Sequence, residues 1–213
     1  KFIKNLLIST IGIIVMSKKL FAKEFSKPLF KDGIFHNNYI DHKMASFKEF
    51  WKWRKESTKP KPISFPLTKN NPTFLHKNKT QKTLTWIGHA SFLLQIDGIN
   101  ILTDPHLTKR ASPVIFAGPS RTTPPGLSIE NLPAIDIIVI SHNHYDHLDY
   151  QTILQITRKQ KNNQPLILVP LKLKILLRSF GAKNVKELEW WDNSNFKNLT
   201  IHSIPVQHWS NRS

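Results

Sequence analysis

Four side chains able to ligate a metal fall inside the six residues His142-Asn143-His144-Tyr145-Asp146-His147. His142 and His144 are two apart, so on an extended segment they project to one side and can share one ion. Asp146 and His147 follow after the chain turns, where they can hold a second ion beside the first. Imidazole and carboxylate suit zinc at roughly 2.0–2.2 Å. Paired ions about 3.5–4 Å apart are a hydrolytic device. The plain alternative is a polar surface turn rich in histidine. Three His and one Asp at H-x-H-x-D-H spacing argue against chance. The chain has no cysteine, so any metal must be held by His and carboxylates.

The element in front of this cluster is Ile135–Ile140, a continuous apolar run that reads as a strand buried on both faces. Before it, Thr83–Gly88 and Ser91–Ile96 are strand-like. Asp97-Gly98 then marks a two-residue hairpin, and Ile99–Thr103 is the return strand. Residues 107–133 carry five prolines with Gly118 and Gly126, the texture of a lid or binding loop. After the cluster, Asp149 can cap a helix running to about Lys161. Leu166–Val169 is another buried strand. Pro170 is expected to start a second helix with Leu171, Ile175, Leu176 and Phe180 on one face, ended by Gly181. Val185–Glu189 and Leu199–Val206 are further strands. Strands alternating with helices after a β-meander give an α/β layered domain.

The motif resembles the metallo-β-lactamase superfamily. Its surroundings are similar to one branch, the N-acyl phosphatidylethanolamine-hydrolysing phospholipase D family and its bacterial relatives. They include Thr85-Trp86-Ile87-Gly88-His89-Ala90-Ser91, Ile101-Leu102-Thr103-Asp104-Pro105, Ala111-Ser112-Pro113 and Phe116-Ala117-Gly118-Pro119-Ser120-Arg121. Lys31-Asp32-Gly33-Ile34-Phe35-His36-Asn37-Asn38-Tyr39 and Pro205-Val206-Gln207-His208-Trp209-Ser210 extend the likeness, so that it covers about residues 27–213. It implies an αββα sandwich with a two-zinc site in a cleft at the strand ends. By that resemblance His142, His144 and His208 bind the first zinc and Asp146 and His147 the second. Asp146 also accepts a hydrogen bond from the nucleophile. Asp104 is implied to support a His ligand from behind, and His89 to face the same cleft. His36, His42, His76 and His106 read as structural or exposed, and His202 as a plain strand residue.

The family pattern asks for two further ligands, a bridging Asp and a last His, and the chain stops five residues after His208. The expectation is therefore the N-terminal half of the sandwich plus an extension, as a fragment that binds metal poorly and is inactive alone. Three segments follow: a signal-like or anchor segment at 1–22, a basic Pro-rich extension at 23–82, and the hydrolase part at 83–213. Leu6–Met16 is an apolar run of 11 residues behind Lys1 and Lys4, too short to span a bilayer. An export signal, an uncleaved interfacial anchor and sequence upstream of a start at Met16 all fit it. In the extension, residues 47–54 read as a short amphipathic helix. Pro60, Pro62, Pro66 and Pro72 are expected to prevent regular structure, and the aromatics to pin the segment on the following domain.

The chain has 213 residues, and 39% of them are hydrophobic, enough for one good core. Its net charge of +17 is unevenly placed. Residues 1–82 hold 18 Lys or Arg against 5 Asp or Glu, and residues 83–213 hold 13 against 9. A solvated basic tail is the plain account. An anionic surface is the functional one. With the resemblance, this implies a phospholipid substrate on an anionic membrane. Cleavage would give phosphatidate and an N-acylethanolamine, and the protein would sit peripherally on the cytoplasmic side or be exported. The alternatives are another hydrolase of the superfamily acting on a cyclic phosphodiester or lactone, and a non-catalytic remnant of a decayed gene. A nucleic-acid binder comes last, since no RNA-binding motif accompanies the charge.

Overall fold

A computed structural model describes residues 26–39, 45–58, 66–206, 208–210 and 212. The expectations for Leu6–Met16, Pro60 and Pro62 lie outside the described residues. The chain divides into two compact units, one of Lys1–Phe47 with Leu188–Gln207, the other of Lys48–Glu187 with His208–Ser213. Each is described by itself.

The first unit opens with β1 (Leu29–Lys31) and β2 (Ile34–His36), an antiparallel hairpin turned by Asp32 and Gly33 at positive φ. The Asn38 side chain closes it, accepting from the Leu29 N–H at 2.9 Å and donating to the Lys27 carbonyl at 2.6 Å.

In the second unit, α1 (Phe47–Glu56) is the short helix expected from its pattern, but it buries none of its residues. The aromatics pack on one another instead, with Phe50 and Trp53 ring centroids 6.0 Å apart. The expectation that they pin the extension on the domain is corrected to that extent. The expectation for Pro72 also fails, because it stands at the start of α2 (Pro72–Lys77). There its missing N–H costs nothing and its φ suits a helix. Asn71 caps the helix by accepting from the Phe74 N–H at 3.0 Å. A buried amide network then ties α2 to the sheet: Gln95 donates to the Leu75 carbonyl at 2.7 Å and to Asn100 Oδ1 at 2.8 Å, while Asn78 donates to Gln95 Oε1 at 3.0 Å.

The centre is a six-stranded mixed sheet in an α/β fold. It contains β3 (Thr83–Gly88), β4 (Ser91–Ile96), β5 (Ile99–Thr103) and β6 (Ile137–Val139), side by side in that order. The first three form an antiparallel meander, and β5 and β6 run parallel. Next comes α3 (Tyr150–Lys159), where the Asp149 carboxylate accepts from the Gln151 N–H at 3.2 Å. The sheet is completed by β7 (Leu166–Pro170), with α4 (Lys174–Ser179) between it and β8 (Val185–Leu188).

Alternation along each strand sorts the core. Leu93, Leu102, Ile138, Ile167 and Val169 join Ile153, Ile156, Leu177 and Phe180 in one buried cluster. Ile99, Ile101, Ile137 and Leu168 are buried outside it, on strands whose side chains alternate between the two faces. The strand expected over Ile135–Ile140 is shorter, since the Asp136 carboxylate takes the Asn100 N–H at 2.9 Å. The second helix also starts later than Pro170. That residue ends β7, and Lys172 at φ 73 turns the chain before the helix begins. As a result Ile175 points to solvent and Leu177 is buried, which corrects the expected face.

In the first unit, β9 (Asn193–Phe196) and β10 (Leu199–His202) form a second antiparallel hairpin, where a single strand to Val206 was expected. Lys27 and Glu189 pair at 2.6 Å, and Trp191 Nε1 donates to the Ser26 carbonyl at 3.2 Å. No helix among the described residues is long and apolar enough to cross a membrane.

Candidate metal centre

Parallel pairing brings the C-terminal ends of β5 and β6 together, and those ends carry Asp104 and Ser141. The Asp104 carboxylate accepts from the Ser141 N–H at 2.6 Å through Oδ1 and from the Ser141 hydroxyl at 2.7 Å through Oδ2. Oδ2 also lies 2.9 Å from His147 Nδ1. One carboxylate thus closes the gap between two strands and orients an imidazole, leaving His147 Nε2 free to face outward. A His whose far nitrogen is held by a carboxylate is the usual arrangement behind a metal ligand.

The antiparallel meander delivers His89 to the same edge. The start of β4 lies beside the end of β5: Thr103 Oγ1 donates to the Ala90 carbonyl at 2.9 Å, and Ser91 Oγ to the Asp104 carbonyl at 2.7 Å. His89 and Asp104 both take positive φ, 50° and 36°, a conformation L-residues avoid unless their surroundings impose it. Trp86 Nε1 donates to the His89 carbonyl at 3.0 Å and holds the turn.

Two sets of donor atoms result. In each, one ligand atom per residue lies within 4.8 Å of the others. The first set is His142, His144 and His208. His142 Nε2 and His144 Nδ1 face each other at 2.9 Å, and the His208 ring centroid is 4.6 Å from that of His142 and 5.3 Å from that of His144. The second is His89, Asp146 and His147. Asp146 Oδ2 lies 3.0 Å from His89 Nε2 and 3.9 Å from His147 Nε2. His142 and His147 ring centroids are 4.1 Å apart, so the two sets adjoin.

The histidine-rich turn is held by a residue that no motif flagged. Arg212 donates through Nη1 to the carbonyls of Asn143 at 3.0 Å and Leu148 at 2.7 Å, and its guanidinium stacks 4.1 Å from the Tyr145 ring centroid. Arg121, which closes the Phe116–Arg121 motif, is given no role of its own by the sequence. It donates to the His106 carbonyl and, at 3.2 Å, to that of Thr123. Its guanidinium fills the space where a Cβ on Gly88 would stand. His106, placed among the structural histidines, is deeply buried.

The electrostatics suit cation binding. Burial, reinforced by the imidazoles of His147, His144 and His208, pushes His142 down to about 4. His144 is also lowered, first by burial and then by His208. Both therefore present neutral lone pairs at pH 7. Burial opposes ionisation of Asp146, but its own backbone N–H and the neighbouring His147, His89 and His144 outweigh it, so its carboxyl stays below the usual range. Among the described residues, His144 Nε2 is buried with no hydrogen-bond partner, a polar deficit that native interiors seldom tolerate. Three imidazoles beside a carboxylate with two more imidazoles fit a pair of borderline divalent ions, zinc among them.

The chain is similar to several known proteins. Residues 99–213 match the beta-lactamase superfamily domain. An uncharacterized protein of Mycobacterium tuberculosis is 37% identical over 149 residues, covering 69% of this chain and 39% of that protein. The N-acyl-phosphatidylethanolamine-hydrolyzing phospholipase D 1 of Caenorhabditis elegans is 41% identical over 133 residues, covering 58% of this chain and 37% of that one. Among solved structures, a diiron β-hydroxylase from Streptomyces venezuelae aligns with a TM-score of 0.46 at 25% identity, over 60% of this chain and 24% of that chain. The chain spans well under half the length of the curated relatives it matches.

Proposed function

The chain belongs to the beta-lactamase superfamily, and from that premise we propose that it carries metal ligands of a zinc-dependent phosphodiesterase. Its substrate would be an N-acylated phospholipid on an anionic membrane surface, cleaved between phosphate and headgroup to phosphatidate and an N-acylethanolamine. The observation that carries the reading is the pair of adjoining ligand sets, His142, His144, His208 and His89, Asp146, His147. The lipid substrate draws its support from the phospholipase relative.

His142, His144 and His208 would hold one ion, and Asp146 and His147 the other. When bound, two such ions supply a water that ionises near neutrality and a positive field for charge on a phosphoryl oxygen. The chain's own residues do the rest. Asp104 keeps the His147 Nδ1 proton, which fixes the tautomer and turns Nε2 outward. Asp146, ionised, can accept a hydrogen bond from an attacking water as well as ligate. His89 bonds Asp146 at 3.0 Å and limits its rotation. Arg212 holds the Asn143 and Leu148 carbonyls of the loop that bears these ligands.

The test is hydrolysis by the full-length protein of N-acylated phosphatidylethanolamine and of a soluble aryl phosphodiester, with bound zinc measured in parallel. Turnover of the lipid with two zinc ions per chain supports the reading. Turnover of the soluble diester alone removes the lipid, and absence of bound metal removes the hydrolase.

A further inference from the structure

The loop that leaves the site at Asp104 and returns to it at Arg121 is built to a shape. Arg110 and Ser120 form a β-bridge. The Ala111 N–H donates to the Pro119 carbonyl at 3.0 Å, the Arg121 N–H to the Lys109 carbonyl at 2.9 Å, and Arg110 Nη1 to the Gly118 carbonyl at 2.6 Å. Gly118 turns the chain at φ +92, where a Cβ would meet Ser112 at 2.7 Å. At the tip the Val114 N–H donates to Ser112 Oγ at 3.2 Å.

This internally bonded loop nevertheless holds Ile115 at 86% and Phe116 at 79% exposure, with Val114 beside them at 37%. Contiguous apolar side chains displayed on an organised loop mark an interaction surface. The charge around them indicates which kind. Residues 105–129 contain Lys109, Arg110 and Arg121 and no Asp or Glu. The carboxylate that meets the base of the loop, that of Asp149 at 3.4 Å from the Thr108 N, is buried. An apolar tip above Lys109 and Arg110, on a segment with no acid of its own, matches an anionic bilayer, with acyl chains for the tip and headgroup phosphates for the cations.

We propose that Val114, Ile115 and Phe116 form a wedge that inserts into an anionic lipid surface, with Lys109 and Arg110 at headgroup level. This deepens the phospholipid reading above and rests on it. One end of the loop is fixed at the ligand cluster through Asp104, which bonds His147, and the other lies through Arg121 against Gly88, the residue before His89. A bilayer docked on the wedge is therefore tethered to the site by a short, hydrogen-bonded arm.

The absence of cysteine makes the test local. An Ile115→Cys variant carrying a nitroxide is mixed with vesicles of phosphatidylcholine and phosphatidylglycerol, and its collision rates with oxygen and with a water-soluble nickel complex are compared. The expected result is a label immersed below the phosphates. A label that stays aqueous on vesicle-bound protein overturns the proposal.

Separately, an Ile115→Ser/Phe116→Ser variant is sedimented with the same vesicles in about 0.5 M KCl, where the basic arm is screened. Binding should fall about tenfold against the unaltered chain. Equal binding overturns the wedge, as does a change of oligomeric state in the variant without vesicles, which would make a second copy the occupant.

Hydrolysis separates the two readings. Wedge-dependent binding with no turnover of N-acylated phospholipid leaves the wedge standing and removes the substrate. Turnover of that lipid in micelles, with binding indifferent to the wedge, does the reverse.

Discussion

The guanidinium of Arg212 lies 4.1 Å over the Tyr145 ring while Nη1 bonds the carbonyl oxygens on either side of that residue's turn, at Asn143 and Leu148. The pair locks the histidine-rich loop to the segment bearing His208. Replacing Arg212 by Ala leaves two carbonyls without their donor and frees His208. Zinc affinity should fall about tenfold, with a loss of about 1–2 kcal/mol of stability. Arg212→Lys should rescue neither, because an ammonium lacks the planar fork that stacks and bonds together. Zinc titration and thermal melting measure both.

Asp104 carries three hydrogen bonds at once, two from Ser141 and one with His147. Asp104→Asn preserves the shape but places an NH2 where an acceptor is needed. Metal affinity should drop about 10–100-fold and stability by about 1–3 kcal/mol. Competition with a chromophoric chelator and urea unfolding measure the two effects. Unchanged affinity would leave Asp104 as a strand clip and nothing more.

Acid should destabilise the metal-free chain, and the sign is fixed by the shifted histidines. His142 in the unfolded chain takes its proton near 6.5, and in the folded chain only near 4. Between those values the unfolded state holds more protons, so stability rises with pH. The contribution is complete above about 6.5 and lost as pH falls toward 4. His144, lowered in the same direction, adds to the slope. Melting temperatures measured across this window should decline with acid, and His142→Gln should flatten the decline.

Zinc should protect the fold through the paired sets. At free metal about 100-fold above the dissociation constant, linkage gives about 2.7 kcal/mol. His144→Gln should remove most of that gain. His202→Gln, an exposed position on β10, should keep it. Differential scanning fluorimetry with and without chelator is sufficient. A chain that zinc stabilises equally with and without His144 would have its metal elsewhere.

Legibility followed periodicity. The limits of β3, β4 and β5 read directly from alternating apolar residues and Asp97-Gly98, because a meander is local. The convergence of His142, His144 and His208 was readable only through family likeness, since the last is remote in sequence. What His89 contacts was not readable, because it depends on β4 pairing with β5 and on a left-handed turn. Nor was the β9–β10 hairpin, whose first strand, Asn-Ser-Asn-Phe, has no apolar alternation. The late start of α4 depends on the positive φ of Lys172, a residue type that gives no warning of it. Arg121 and Arg212 bond to carbonyls, which leave no imprint on side-chain spacing.

His142 and His208 stand far apart along a chain that has no cysteine. An ion gripped by both joins distant stretches of polypeptide and so acts as a removable cross-link, restricting the unfolded chain much as a disulfide does. Loading would then govern resistance to proteolysis as well as chemistry.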